Sequence, residues 1–159
     1  MSSNKEGCIF CNKTNCKVIY STENFFIIRD TAYPVTKHHT LIVTNRHVED
    51  FFNLTKKEMN DLDEILKKQK KELKNLDNEI SAFNVGVNIG KDAGQSIMHC
   101  HIHLIPRRKG DVEDPRGGVR GVIPSKQKYW CEKTFKMMII GFYRITSPQT
   151  RTFWDKTRI

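Results

Sequence analysis

Long apolar runs are missing from this chain. No stretch of its 159 residues approaches the roughly 18 to 20 apolar positions of a membrane span, and the opening MSSNKEGC lacks the apolar segment of a signal peptide. A cytoplasmic location with no membrane partner is therefore expected. Cysteine is scarce and odd in number: there are five, and three of them, Cys8, Cys11 and Cys16, crowd into residues 8–16. A reducing compartment argues against a disulfide framework and makes metal binding the better reading of the crowded thiols. Acidic residues are in deficit, 18 against 27 lysines and arginines, and the resulting charge of +9 favours polyanionic ligands. Charge alone does not separate a nucleotide from a nucleic acid or an acidic surface. With 38% hydrophobic residues the chain is long enough for one compact core and too short for two.

What is present is concentrated in residues 93–108, AGQSIMHCHIHLIPRR. Half of the six histidines stand here, as His99, His101 and His103. Along an extended strand alternate side chains share a face, so the three imidazoles line one face and Cys100, Ile102 and Leu104 the other. The apolar face reads as core. The imidazole face must look into a cavity or a polar layer, because burying three unpaired rings is costly. Pro106, which cannot donate to a ladder, is expected to end the strand. Neutral imidazole is a nucleophile and a proton carrier near pH 7, and a phosphoryl group is its natural electrophile. Gly94, Gln95 and Ser96, just ahead, offer donors to phosphate oxygens.

The run His-Cys-His-Ile-His-Leu-Ile resembles the His-x-His-x-His-x-x signature, with x apolar, of the histidine triad (HIT) superfamily of nucleotide hydrolases and transferases, and the similarity extends over most of residues 7–128. The resemblance implies that the middle histidine, His101, attacks the α-phosphorus of a nucleotide and forms a nucleotidyl-histidine, which water or another acceptor then cleaves. His103 would orient it or bind phosphate oxygens, and His99 belongs to the same catalytic trio. Gln95 and Ser96 would hold phosphate. The family writes Pro-Gly-His before its central strand, and His39 matches that supporting histidine. Lys37 and His38 stand in the usual Pro and Gly places, so a positive φ would put modest strain on His38. Asp30 matches an acid that grips the ribose hydroxyls, Asn88 an amide near the ribose and α-phosphate, and Ile9 and Phe10 apolar residues that cover the base.

Cys8-Ile9-Phe10-Cys11 is a C-x-x-C knuckle, whose spacing lets two thiolates reach one zinc ion, although two ligands do not close a tetrahedral site. The resemblance supplies the missing pair: relatives with this knuckle complete a structural zinc site with a histidine after the central strand and the first triad histidine. Those positions are His47 and His99. Cys16 is a rival third thiolate that matches no ligand position. No cofactor is expected in catalysis itself.

Residues 17–20 and 24–30, rich in β-branched and aromatic side chains, read as a strand pair, and TLIVT at 40–44 as a third strand. Thr55-x-x-Glu58 is a capping box opening a helix. Met59, Leu62, Ile65, Leu66, Gln69, Leu73 and Leu76 recur at helical spacing, and the lysine-rich opposite face is most simply solvated. Residues 80–88 form the next strand, and a loop leads to the triad strand. The order predicts an α+β domain: a HIT-like antiparallel sheet of about five strands with one main helix, over residues 1–130. Pairing of two such sheets in a homodimer is an implication of the resemblance. After the triad, Arg107-Arg108-Lys109 and residues 115–124 are basic and glycine-rich, a composition that suits an anion because glycine lets backbone amides approach and the arginine fork fits phosphate. This arrangement looks like the bacterial and archaeal members nearest the fragile-histidine-triad branch, the dinucleoside polyphosphate hydrolases. Residues 131–159 form a basic extension that matches no family pattern. It offers Phe142, Tyr143, Phe153 and Trp154 but no recognisable motif for base stacking, so nucleic acid is not the expected partner. Hydrolysis at the α-phosphate of diadenosine polyphosphates, releasing AMP, is the leading expectation. Phosphoramidase, adenylyl-lysine hydrolase and DNA-adenylate-removing activities are the alternatives.

Overall fold

The computed structural model describes residues 4–13 and 16–128. Five strands, β1 (Val18–Ser21), β2 (Phe25–Arg29), β3 (Thr40–Thr44), β4 (Ile80–Gly86) and β5 (His101–Arg108), form one antiparallel sheet in the order β1-β2-β3-β5-β4. One long helix, α1 (Lys56–Leu76), lies between β3 and β4 in the chain. The expected α+β class, strand number and single main helix are all observed. The basic extension from residue 131 lies outside the described residues.

The sheet is covered on both faces, which is why its central strands read as continuous apolar runs instead of alternating ones. Phe25 and Ile27 of β2, Ile42 of β3 and Ile102 of β5 pack with Leu62 and Ile65 of α1 on one side. Phe26, Ile28, Leu41 and Val43 point to the other side, where Phe10 from the N-terminal knuckle covers them. Leu73, Ile80 and Leu104 close the far end of the helix face. The second face is only partly covered, and the functional cleft occupies the remainder.

Strands β1 and β2 fall within one residue of the expected 17–20 and 24–30, and three other boundaries differ from the sequence reading. The triad strand begins at His101, not His99, and it runs through Pro106 to Arg108. Beyond Leu104, β5 has outrun β3 and pairs with β4 alone, where Pro106 faces Phe83, so the missing N–H costs no ladder bond on the β3 side. The strand expected at 80–88 stops at Gly86. On α1, Met59 and Leu76 are exposed, whereas Glu58 is buried. His38 has φ of 69°, the strained conformation anticipated for a non-glycine residue there. Its loop is tied down by Arg108, which donates to Thr36 Oγ1 at 2.9 Å and to Asp77 Oδ2 at 2.7 Å.

Thr55 caps α1 as expected, and the box does more than cap. Glu58 Oε2 accepts from the Thr55 backbone N–H at 2.7 Å and from Arg46 at 2.9 Å, while Oε1 accepts from Arg46 Nε at 3.0 Å. One buried carboxylate thus joins the helix start to the chain leaving β3. The Arg46 guanidinium holds the Glu58 carboxyl below its ordinary value. A group depressed in this way stabilises the fold above the unfolded carboxylate value and loses that contribution as the pH falls through the folded one. Glu58→Ala should therefore cost roughly 2 kcal/mol at neutral pH, with the deficit against wild type narrowing in acid. Urea unfolding of both proteins at pH 7 and pH 3 checks the magnitude and the direction.

Candidate active site and metal centre

The three triad histidines do not share one environment. His101 and His103, on the same face of β5, line a cleft of about 1030 Å³ together with His39, Asp30, Phe10, Asn88 and Ser96. His99 precedes the strand, is fully buried, and turns toward the N-terminal knuckle. The ladder with β3 breaks on one side here: Cys100 donates its N–H to the Val48 carbonyl at 2.6 Å, while its own carbonyl still accepts from the Thr44 N–H at 3.3 Å.

Proton positions follow from the partners. A backbone carbonyl can only accept, so the 2.7 Å contact between His101 Nδ1 and the His99 carbonyl places the proton on Nδ1. His101 Nε2 then carries the lone pair. Phe10 stands edge-on to this ring, centroids 5.4 Å apart. Burial lowers the His101 pKa, with the carbonyl bond opposing, so the ring stays neutral. On the next ring, the Val35 N–H donates to His39 Nδ1 at 3.3 Å, which leaves the His39 proton on Nε2, directed at His103 Nδ1 at 3.0 Å. His103 accordingly bears its proton on Nε2, an atom that is buried and has no hydrogen-bond partner. Burial, then the neighbouring His101 and His39, pushes His103 down to about 4. Asp30 Oδ2 lies 3.3 Å from His39 Nδ1, where it stabilises that ring whenever it is charged. The arrangement is a bare nucleophilic nitrogen beside an N–H donor, both neutral at physiological pH.

The second cluster is Cys8, Cys11, His47 and His99, whose ligand atoms all lie within 4.8 Å of one another. His99 Nε2 donates to the Thr44 carbonyl at 2.8 Å, so its Nδ1 is unprotonated and turned to the thiols, 3.4 Å from Cys8 Sγ and 3.7 Å from Cys11 Sγ. His47 Nδ1 stands 3.3 Å from Cys11 Sγ and 3.2 Å from His99 Nδ1. A tetrahedron with Zn–N and Zn–S bonds of about 2.0 to 2.3 Å separates its ligand atoms by roughly 3.3 to 3.8 Å. The four residues therefore fit zinc in number, chemistry and spacing. Glu49 Oε1 lies 3.6 Å from His47 Nε2 and accepts from Lys5 Nζ at 2.8 Å, which places a carboxylate next to this ring. Cys16 is not in the cluster; its thiol points at the Ile9 carbonyl, 3.9 Å away.

Other expected residues are distributed as follows. Asp30 lines the cleft, and its Oδ1 accepts from Ala32 and Tyr33, which fixes the turn after β2. Asn88 donates to the Gly94 carbonyl at 3.4 Å, and Gly94 has φ of 85°, a backbone only glycine adopts readily. Gln95 is buried and is not among the residues lining the cleft. Its Oε1 accepts from Gly90 and its Nε2 donates to the Glu49 carbonyl, both at 2.8 Å, which braces the loop. Phe10 is buried in the core beneath the cleft, whereas Ile9 is exposed at its rim. His99, counted with the catalytic trio, sits in the metal cluster and not on the cleft wall. The far end of the cleft holds Arg107, expected as one of the basic residues suited to phosphate, together with Asn84 and Asp111, which were not foreseen. Arg107 continues the period-two face of His101 and His103.

Known proteins share this geometry. The chain matches the HIT domain over residues 12–110. It is 36% identical over 110 residues to an uncharacterised HIT-like protein of Methanocaldococcus jannaschii, covering 67% of this chain and 83% of that one. It is 35% identical over 81 residues to the asymmetrical bis(5′-nucleosyl)-tetraphosphatase of Schizosaccharomyces pombe, covering 51% of this chain and 44% of the relative, so it spans less than half the length of that protein. Among solved structures, a zinc-bound histidine triad family protein from Mycobacterium smegmatis superposes with a TM-score of 0.61 at 28% identity, covering 68% of this chain and 80% of the other. No helix among the described residues is long and apolar enough to cross a membrane.

The low value of His103 is open to direct measurement. In nitrogen-15 NMR its ring should protonate near pH 4, more than two units below an ordinary histidine at about 6.5. Because the unfolded chain takes up these protons first, stability should fall as the pH drops below about 6.5. A His103 titration at 6 or above would contradict the neutral pair described here.

Proposed function

The chain belongs to the HIT domain family, and on that premise we propose that it is a nucleotide hydrolase acting at the α-phosphate of adenosine 5′-linked substrates, diadenosine polyphosphates foremost, through a nucleotidyl-histidine intermediate. The observation that carries the reading is the 2.7 Å bond from His101 Nδ1 to the His99 carbonyl, because it commits the proton to one nitrogen and leaves the other as a nucleophile. Cleft, neutral imidazoles and net charge of +9 all suit a phosphorylated ligand. The relative named as a bis(5′-nucleosyl)-tetraphosphatase supports the substrate class.

In this reading His101 Nε2 attacks the α-phosphorus, a P–N bond forms, and the bond to the bridging oxygen breaks with its electron pair leaving on the departing phosphate. The His103 Nε2–H donates to a phosphoryl oxygen as charge gathers there, and His39 holds His103 in that tautomer. Ser96 lends a further donor, Asp30 and Asn88 face the ribose, and Phe10 floors the base site. Water then cleaves the P–N bond, releasing AMP and returning His101 to neutral. Cys8, Cys11, His47 and His99 would hold a structural zinc ion, which cross-links the N-terminal knuckle to the segment preceding β5. The reading carries with it a homodimer, a cytoplasmic setting, a HIT domain over residues 1–130 and a basic extension over 131–159.

His101→Ala should reduce kcat on diadenosine tetraphosphate by roughly a thousandfold or more, since the nucleophile has no substitute. Mass spectrometry of quenched wild-type enzyme should find AMP attached to His101. Near-normal turnover in the variant would end this mechanism. For the metal, protein purified without added zinc should contain about one zinc per chain, and His47→Ala should lower that content sharply. A wild-type content near zero would dismiss the zinc assignment and leave the hydrolase reading to the kinetic test.

A further inference from the structure

The cleft is longer than the chemistry described above requires. From His103 it follows the same face of β5 past Ile105 to Arg107, four residues on, which at a strand rise of about 3.3 Å is roughly 13 Å. The whole space, about 1030 Å³, lies at the upper limit of small-ligand pockets and exceeds what one nucleoside monophosphate fills. A polyphosphate linker with its second ribose spans such a distance, and a lone phosphate does not.

The distal lobe has its own chemistry. Arg107 is turned inward to protein partners: each of its three nitrogens gives one of the five guanidinium N–H groups to an acceptor of the fold. Nε and Nη2 donate to the two Asp111 oxygens at 2.7 and 2.8 Å, and Nη1 donates to Asn84 Oδ1 at 2.7 Å. Its charge is cancelled in place, and the guanidinium is held as a flat plate of the kind on which aromatic rings stack. Asn84 gives its oxygen to Arg107 and keeps its Nδ2 donors, next to Gly118, where a built Cβ would approach that nitrogen to 3.6 Å. Val119 and Val122 face the same lobe from the segment after β5 and are 69% and 77% exposed. The lobe therefore offers a charge-neutral plate, amide donors and two uncovered valines. That combination suits a flat, uncharged ring bearing hydrogen-bond acceptors, and it does not suit a further phosphate.

We propose that this lobe is the seat of the departing half of the substrate, receiving its purine base between Arg107 and the Val119–Val122 segment, with Asn84 donating to a ring acceptor. Asn84, Arg107, Val119 and Val122 are then specificity determinants that favour two-nucleoside substrates over single nucleotides with the same phosphate chain. The proposal rests on the hydrolase reading for its substrate class. Its geometry does not depend on which nitrogen attacks phosphorus.

The test compares diadenosine tetraphosphate with adenosine 5′-tetraphosphate, which has the same phosphate chain and no second base. Wild-type kcat/KM should favour the dinucleoside by about tenfold or more, and Asn84→Ala and Val119→Ser should each cut that ratio several-fold. In parallel, calorimetry with methylene-bridged, uncleavable versions of both compounds should show the dinucleoside binding about tenfold tighter to wild type, with the difference shrinking in the variants. Equal affinities in wild type would overturn the lobe assignment, as would a ratio that the two variants leave in place. Failure to turn over either compound would defeat the hydrolase reading alone, because the calorimetric comparison still decides the lobe. Melting curves of both variants confirm that the readings come from folded protein.

Discussion

One residue, His99, connects the two clusters on which this site depends. Its backbone carbonyl accepts the proton-bearing nitrogen of His101, and its side chain, fixed by the Thr44 carbonyl, turns its bare nitrogen to Cys8 and Cys11. Phe10, between those two cysteines in sequence, stands edge-on to both His99 and His101. Whatever holds the knuckle in place thereby also holds the ring of His101. Three imidazoles at alternate positions are thus divided between two tasks, one structural and two facing the cleft, by a single departure of the chain from the sheet at Cys100.

Burial then sets the protonation of the rings. His99 and His103 are each pushed down to about 4, first by desolvation, and His39 and His101 are lowered for the same cause. A surface histidine would be partly charged near neutrality, and its positive ring would be neither a ligand for a metal nor a nucleophile. Placing these rings under Phe10 and against β3 keeps their lone pairs available. Asp30 opposes this lowering at His39, His101 and His103, and it stands nearest to His39, 3.3 Å from Nδ1.

Much of this was legible in the sequence because it rests on local rules. The capping box at Thr55, the strands at 25–29 and 40–44, and the burial of Cys100, Ile102 and Leu104 follow from period and propensity, and each is observed. The strain at His38 was legible by another route, the resemblance, because His38 stands where the family writes glycine and the backbone there has a positive φ. What was hidden depends on distant partners. Gln95 reads as a phosphate donor until Glu49 and Gly90 are seen to take its amide. Pro106 reads as a strand end until β5 is seen to have lost its β3 neighbour already. Arg107 reads as a phosphate ligand until Asp111 and Asn84, partners that no spacing rule announces, are seen to engage it. Glu58 was assigned to the cap correctly, yet its burial came from Arg46, which the helix pattern does not contain.

The strand order carries a consequence for how the molecule is made. Among the described residues β4 pairs with β5 alone, and β3 reaches its second neighbour across the roughly sixty residues that separate it from β5. As the chain emerges from the ribosome, β1, β2, β3 and α1 can gather first, while β4 waits with an unpaired edge. The strand that inserts last, into the middle of the sheet, is the one bearing His101 and His103. A half-made molecule consequently holds no assembled pair of imidazoles, and the cleft is completed only when β5 enters the sheet.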